Sequence, residues 1–301
     1  TPARPLLGYK EFNLNKDNYI YLGNDMKVEA NVDLIADDGT GVKLFSTPNE
    51  EALQDMTVSI NKFDLEKIMS VLPYMPRMTG SLNGDFHFIQ TKDQLSVMSD
   101  LAVSKMTYNH SKIGNISSEL VYLPKNDGSH YVDGRLMLNN KEVMTMVGSY
   151  QSAGDGYIDA QLGMDRFPLQ MVNGFIPDHL LGFNGYGEGS VDIKGSPKTP
   201  QVNGEVYLDS AYLTSEPYGV NLRFDNDPVR IVGSNLLLEN FGMYAHNNNP
   251  LNIYGNVDFS NLDKVSMDLR MRASDYQLID AKRTRHSLIY GKMYADYMGY
   301  I

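Results

Sequence analysis

Val265-Ser266-Met267-Asp268-Leu269-Arg270-Met271-Arg272-Ala273 alternates without a break, apolar on odd positions and polar on even ones. Successive side chains of an extended strand point to opposite faces, so this stretch is a strand with one dry face and one wet face. The same period runs through Leu251, Ile253, Val257 and Phe259, set against Asn252, Asn256 and Asp258. It recurs in Val28, Ala30, Val32 and Leu34, and again in Ile158, Ala160, Leu162 and Met164. Turn clusters separate such runs, among them Asp37-Asp38-Gly39, Asn126-Asp127-Gly128, Gly154-Asp155-Gly156 and Asn247-Asn248-Asn249-Pro250. The chain reads as antiparallel and mostly β.

Two stretches read as short amphipathic helices. Leu65, Ile68, Met69 and Leu72 share one helical face, with Asp64 as N-cap and Pro73 as stop. Pro168 suits a first helical position, Leu169, Val172 and Ile176 form a stripe, and Pro177 ends it. Tyr276 to Arg285 fits a helix or an extended segment.

The helices belong to an internal repeat. Phe63, Leu65, Ile68, Leu72 and Pro73 match Phe167, Leu169, Val172, Ile176 and Pro177 at a shift of 104. After one inserted residue, Gly80, Gly84, Phe86, Phe88, Leu101, Val103 and Gly114 match Gly185, Gly189, Val191, Ile193, Val206, Leu208 and Gly219 at a shift of 105. A third copy opens near Ala273-Ser274-Asp275, with Tyr290 to Tyr294 in the place of its first strand. The expected organisation is a β segment over 1–56, repeats over 57–160 and 161–265, and the start of a truncated third repeat over 266–301. Two architectures suit strands with one apolar face: a closed sandwich or barrel, or an elongated, curled antiparallel sheet whose dry face forms a groove. Repetition with an open end favours the second, a trough like a folded taco carrying two short helices.

Composition narrows the function. The 301 residues are 42% apolar and 21% charged, which excludes bulk disorder. A net charge of −11 makes nucleic acid a poor partner. No run approaches the roughly 18 apolar residues of a membrane helix. Without cysteine there is no disulfide framework, thiolate nucleophile or Cys-ligated zinc. His87, His110, His130, His179, His246 and His286 are scattered, so no metal set stands out. Gly185-Tyr186-Gly187-Glu188-Gly189 runs into a strand rather than a helix, which removes the phosphate-loop reading. Asp37-Asp38 and Asn247 to Asn249 have turn chemistry and no EF-hand spacing. Lys282-Arg283-Thr284-Arg285-His286 is the one basic cluster, solvated by default and a surface for anionic head groups as the alternative. Seventeen methionines, with Met56, Met106, Met164, Met243, Met267 and Met271 on dry faces, suit a surface for ligands of variable shape. The expectation is a non-enzyme with no cofactor and no metal.

One segment resembles a known family. Gly189-Ser-Val-Asp-Ile-Lys-Gly195-Ser-Pro-Lys-Thr-Pro200-Gln-Val-Asn-Gly204-Glu-Val-Tyr-Leu208 resembles the strand, G-x-P-x-x-P, G-x-V-x-L pattern of the TamB family, within the AsmA-like bacterial envelope proteins. Asn249-Pro250-Leu251, Gly255-Asn-Val-Asp-Phe259, Asp275 to Asp280 and Tyr290-Gly291-Lys292 are similar to the Bacteroidetes version of its C-terminal half. The likeness is clearest over 165–301 and weaker over 57–164. It implies a periplasmic protein of a Gram-negative bacterium, anchored in the inner membrane. It further implies a trough that conducts phospholipid acyl chains between membranes, with a TamA-type outer-membrane barrel as partner through regions outside 1–301. The groove residues expected from strand parity are Val191, Ile193, Val206, Leu208, Leu251, Ile253, Val257, Phe259, Val265, Met267, Leu269 and Met271. The alternative is a scaffold that assists outer-membrane β-barrel assembly or secretion by holding strands on an edge or in the groove.

Overall fold

The computed structural model describes residues 4–7, 10–24, 27–71, 77–108, 111–175, 182–215, 217–285 and 287–300. The chain is 70% strand and 4% helix, all strand pairings given below being antiparallel. It divides into two compact units, Thr1–Ser152 and Ala153–Ile301. The division falls within the first repeat expected from sequence, eight residues before its 160/161 boundary, which lies inside a strand.

The first unit holds β1 (Leu6–Leu7), β2 (Lys10–Glu11), β3 (Asn13–Leu14), β4 (Tyr19–Leu22), β5 (Val28–Ile35), β6 (Gly41–Ser46) and β7 (Gln54–Asp64). Helix α1 (Leu65–Val71) follows, then β8 (Met78–Gln90), β9 (Leu95–Tyr108), β10 (Ser111–Pro124), β11 (Ser129–Leu138) and β12 (Lys141–Gln151). β5 to β12 are bonded in sequence order, as a meander. Cross-strand partners share a face. One row therefore runs Val32, Leu44, Val58, Phe86, Ser99, Leu120, Gly134, Met146 through all eight strands. The opposite face carries charge: Asp33 pairs with Lys43 at 3.5 Å and Glu119 with Arg135 at 3.4 Å.

The second unit holds β13 (Tyr157–Pro168), a 3-10 helix at Leu169–Phe175, β14 (Gly182–Gly195), β15 (Pro200–Ser215), β16 (Val220–Phe224), β17 (Val229–Val232), β18 (Asn235–Tyr244), β19 (Pro250–Asp258), β20 (Ser266–Ala281) and β21 (Gly291–Tyr300). β16 and β17 share one strand position between β15 and β18, interrupted by Asp225 to Pro228. The buried Ser234 secures the turn that follows: its hydroxyl donates to the Pro200 carbonyl at 2.5 Å and accepts from the Val202 N–H at 2.9 Å.

The strands are not uniformly paired. Among the described residues, six strands carry a β-bulge at a pair of adjacent polar residues, the second in the left-handed region: Asn61-Lys62, Ser104-Lys105, Asp165-Arg166, Asp209-Ser210, Glu239-Asn240 and Ser274-Asp275. A bulge adds one residue to one strand, bends it and increases its twist. The next strand holds the irregular backbone. The N–H groups of Lys62, Lys105 and Asp275 donate to side chains of Asn83, Asn115 and Asp296 at 2.9, 2.9 and 2.7 Å. Lys62, Arg166 and Asp275 hold equivalent places in the three repeats, each followed by an aromatic residue: Phe63, Phe167 and Tyr276.

The helices differ from one another. Asp64 caps α1 by accepting the Glu66 N–H at 3.1 Å, and Leu65 is buried. The second segment is a 3-10 helix rather than an α-helix, and Pro168 before it remains paired in the sheet opposite Tyr186, as Asp64 before α1 is paired opposite Ser81. Asn173 then imitates a strand, its amide donating to the Phe183 carbonyl at 2.9 Å and accepting the Phe183 N–H at 2.6 Å. Tyr276 to Ala281 is extended, part of β20, so the third repeat has no helix at that place. Leu72, Pro73, Ile176, Pro177, His110, His179, His286 and the side chain of Val172 lie outside what the structure describes.

Two stability predictions follow from this geometry. Gly189 has φ +135° and a Cβ there would lie 2.0 Å from the Glu205 carbonyl oxygen. Gly189→Ala should cost more than about 2 kcal/mol in denaturant unfolding, against about 1 kcal/mol for Gly154→Ala, where nothing lies within 4 Å. Asp55 is buried and accepts from Asn49 at 2.9 Å and His87 at 2.8 Å, which holds its carboxyl below the usual carboxylate range. A lowered folded-state pKa stabilises above the unfolded value and is lost as pH falls through the folded one. Asp55→Asn should therefore cost roughly 1–3 kcal/mol at pH 7, and the gap from wild type should close below about pH 4.

Candidate functional site

The dry face of the second unit is continuous through its hydrogen-bonded partners. Leu162 lies opposite Val191, Val191 opposite Gly204, Gly204 opposite Ile231, Ile231 opposite Leu236, Leu236 opposite Val257, and Val257 opposite Met267. Parallel rows join Ala160, Ile193 and Val202, and also Phe241, Ile253 and Met271. Val206 lies opposite Gly189, Leu208 opposite Gly187, Leu251 opposite Ala273, and Leu269 opposite Gly255. Ten of the twelve residues expected to line a groove therefore sit on one face of paired strands. Phe259 and Val265 lie just beyond β19 and before β20; the Phe259 N–H still bonds the Ser234 carbonyl at 3.0 Å.

Bulges interrupt several of these strands, and the sequence changes phase where they fall. Dry residues of β13 are even-numbered up to Met164 and odd-numbered from Phe167, because Asp165-Arg166 shifts the phase by one. β20 shifts likewise between Ala273 and Tyr276. Arg166 then bridges two bulges, donating to Asp209 at 2.5 Å while its guanidinium lies 4.3 Å from the Tyr186 ring centre.

The face has a closed part and an open part. Leu222, Ala245, Ala273 and Tyr276 form a buried cluster, with Leu213, Val220, Met243, Leu251 and Leu278 packed against it. Leu222 is in β16 and Tyr276 in β20, with β18 and β19 between them, so the sheet curves enough for non-neighbouring strands to meet. The Phe183 and Phe224 rings, on alternate strands, stack at 6.1 Å, and Phe224 meets Phe241 at 5.9 Å. Tyr276 donates to the Met243 carbonyl at 3.0 Å, and burial pushes its phenol up to about 12. Ile253, opposite Phe241, is also buried, at 9% exposed. Away from these residues, Val191, Ile193, Val206, Leu208, Val257 and Leu269 are only half-buried, and Met267 and Val265 are 51% and 50% exposed. Leu169 lies over the dry face, its Cδ2 3.5 Å from where a Cβ on Gly187 would be.

Surface area makes the same point for the whole chain. It exposes 18643 Å² for 33.8 kDa. A compact protein of that mass exposes roughly 13,000 Å², and even two separate compact bodies of half the mass expose roughly 15,000 Å². The chain thus exposes more surface than compact packing of its mass would leave.

The wet face is of another kind. Asn252, Tyr254, Arg270, Arg272 and Asp275, with Pro250 and Ala273 among them, line a depression of about 700 Å³ there, so polar and charged side chains alternate with apolar ones along it. Among the described residues no three His, Asp or Glu come together as a metal set. Asp37 and Asp38, read as turn residues, are engaged by Arg4, Asn13 and Lys10. The bulges were missed in the sequence although they carry a signal, a polar doublet interrupting alternation. No family model matches the chain, and neither a curated protein nor a solved structure matches it.

Proposed function

We propose that this chain is a segment of a bridge-like lipid-transfer protein of the bacterial periplasm, whose apolar face conducts phospholipid acyl chains between inner and outer membrane. The observation that carries the reading is the unbroken dry row from Leu162 to Met267, half-exposed over much of its length. Soluble proteins seldom leave more than a few hundred Å² of contiguous apolar surface uncovered without a ligand. A row of aliphatic side chains with no fixed polar anchor suits acyl chains that slide, and flexible methionines adapt to them. All six methionines singled out from the sequence have dry-face parity. The TamB-type pattern over 189–208 supports the same reading.

A second reading has its own support. In β4 all four residues, Tyr19 to Leu22, are exposed, with Ile20 at 66%. Exposed apolar and aromatic side chains of that kind can hold an extended segment of another protein, as an assembly scaffold would. A TamA-type barrel partner belongs to this proposal rather than to any surface described above.

The test uses Met267, which is exposed enough that a substitution should leave folding nearly intact. In the full-length protein, Met267→Asp places a carboxylate on the path, at a cost of several kcal/mol if chains pass over it. Conduction should fall at least tenfold, while Asp268→Asn on the wet face should leave it unchanged. A photo-crosslinker at position 267 should capture phospholipid, and one at 268 should not. Equal capture at both positions, or full envelope function with Asp at 267, would overturn the conduit and leave the strand scaffold in front.

A further inference from the structure

The connection between β20 and β21 departs from its counterparts. In the first two repeats the segment after the bulge forms a helix that turns inward, with Leu65 buried and Leu169 over the dry face. In the third repeat β20 continues to Ala281, paired with Gly291, and a loop takes the helix's place. Within it Lys282, Arg283 and Arg285 are all exposed. Leu288, Ile289 and Tyr290 follow, 67%, 43% and 60% exposed. Three cations and three large apolar side chains thus stand in solvent within nine residues, in a chain of net charge −11.

This exposure is not that of a loose loop. The N–H groups of Leu288 and Ile289 both donate to the Pro217 carbonyl, at 2.7 and 3.2 Å. Ser287 donates to the Lys282 carbonyl at 3.2 Å, and its hydroxyl accepts the Thr284 N–H at 3.0 Å. The Arg283 guanidinium lies 5.5 Å from the Tyr290 ring centre, which joins the basic and apolar halves. The backbone is held while the apolar side chains are left outside. Basic residues beside an aromatic and two aliphatics match the interface of a bilayer, where cations meet phosphate and apolar side chains reach the acyl boundary.

We propose that the described residues 282–285 and 287–290 together form a docking loop for an anionic lipid bilayer surface. Its partner is the membrane plane, with phosphate groups on Lys282, Arg283 and Arg285 and the acyl boundary under Leu288 and Ile289. Because the rest of the chain is acidic, attraction to such a surface must be local. The proposal stands whether or not the dry face carries lipid, since it uses none of the groove residues.

The test is co-sedimentation of the intact chain with vesicles of phosphatidylcholine alone and of phosphatidylcholine with 30% phosphatidylglycerol, at low and high salt. Binding is expected on the anionic vesicles at low salt and should be weak on the neutral ones. Each basic residue near such a surface contributes about fivefold. K282Q/R283Q/R285Q should therefore lower the partition coefficient on the order of 100-fold. L288S/I289S should lower it while leaving the salt dependence in place. K92Q/K125Q/K141Q, which removes equal charge from exposed sites elsewhere, should bind as wild type. Circular dichroism checks that each variant is folded. No binding to anionic vesicles, equal binding to neutral ones, an equal loss in the control triple, or capture by an acidic peptide without vesicle binding would overturn the loop's assignment.

Discussion

Parity is the constraint on which this structure depends. A strand has only two faces, so a register slip of one residue moves every apolar side chain from the dry face to the wet one. The second unit keeps its dry face aligned through six successive pairings from Leu162 to Met267. It does so although β13, β15, β18 and β20 each contain an extra residue. The bulges are compatible with parity because each falls on a polar doublet, so the sequence changes phase where the backbone does. The side chain of the next strand often fixes the irregular N–H, as Asn83 does for Lys62 and Asp296 for Asp275.

Bending has an energetic consequence. Where curvature is strong, apolar side chains of non-neighbouring strands meet, and Leu222, Ala273 and Tyr276 become buried. Where it is weaker, the same kind of side chain keeps one side in contact with its strand neighbours and the other uncovered. Burial of apolar area supplies about 25 cal/mol per Å², so a half-covered face yields less stability than a closed core. The strand ladders and close backbone approaches, such as Gly189 against Glu205, must therefore contribute a large share of what orders the sheet. A face left partly uncovered has stabilisation still to gain from a ligand.

Much of this was legible from residues alone. Alternation in 251–259 and 265–273 gave the strands and the dry face, and the Asp64 cap and Leu65 stripe gave α1. Other features depended on information that periodicity does not hold. Pro168 reads as a helix start, but it is paired in the sheet opposite Tyr186, and the helix that follows winds as 3-10. Tyr276 to Ala281 was ambiguous because its phase had shifted at Ser274-Asp275; with the bulge recognised, Tyr276 and Leu278 resume the dry face. Which dry residues are closed over and which remain open depends on curvature, so Ile253 and Met267, equivalent by pattern, end at 9% and 51% exposed.

The central claim is that the open dry face exists to hold hydrocarbon. Native mass spectrometry of the chain, purified without detergent from cells and sprayed under conditions that preserve non-covalent complexes, tests it most directly. The account predicts phospholipid-mass adducts on the wild-type chain that diminish when Met267 and Val257 are replaced by Asp. A wild-type chain that carries no lipid, and remains lipid-free after incubation with phospholipid vesicles while binding extended peptides, would contradict it.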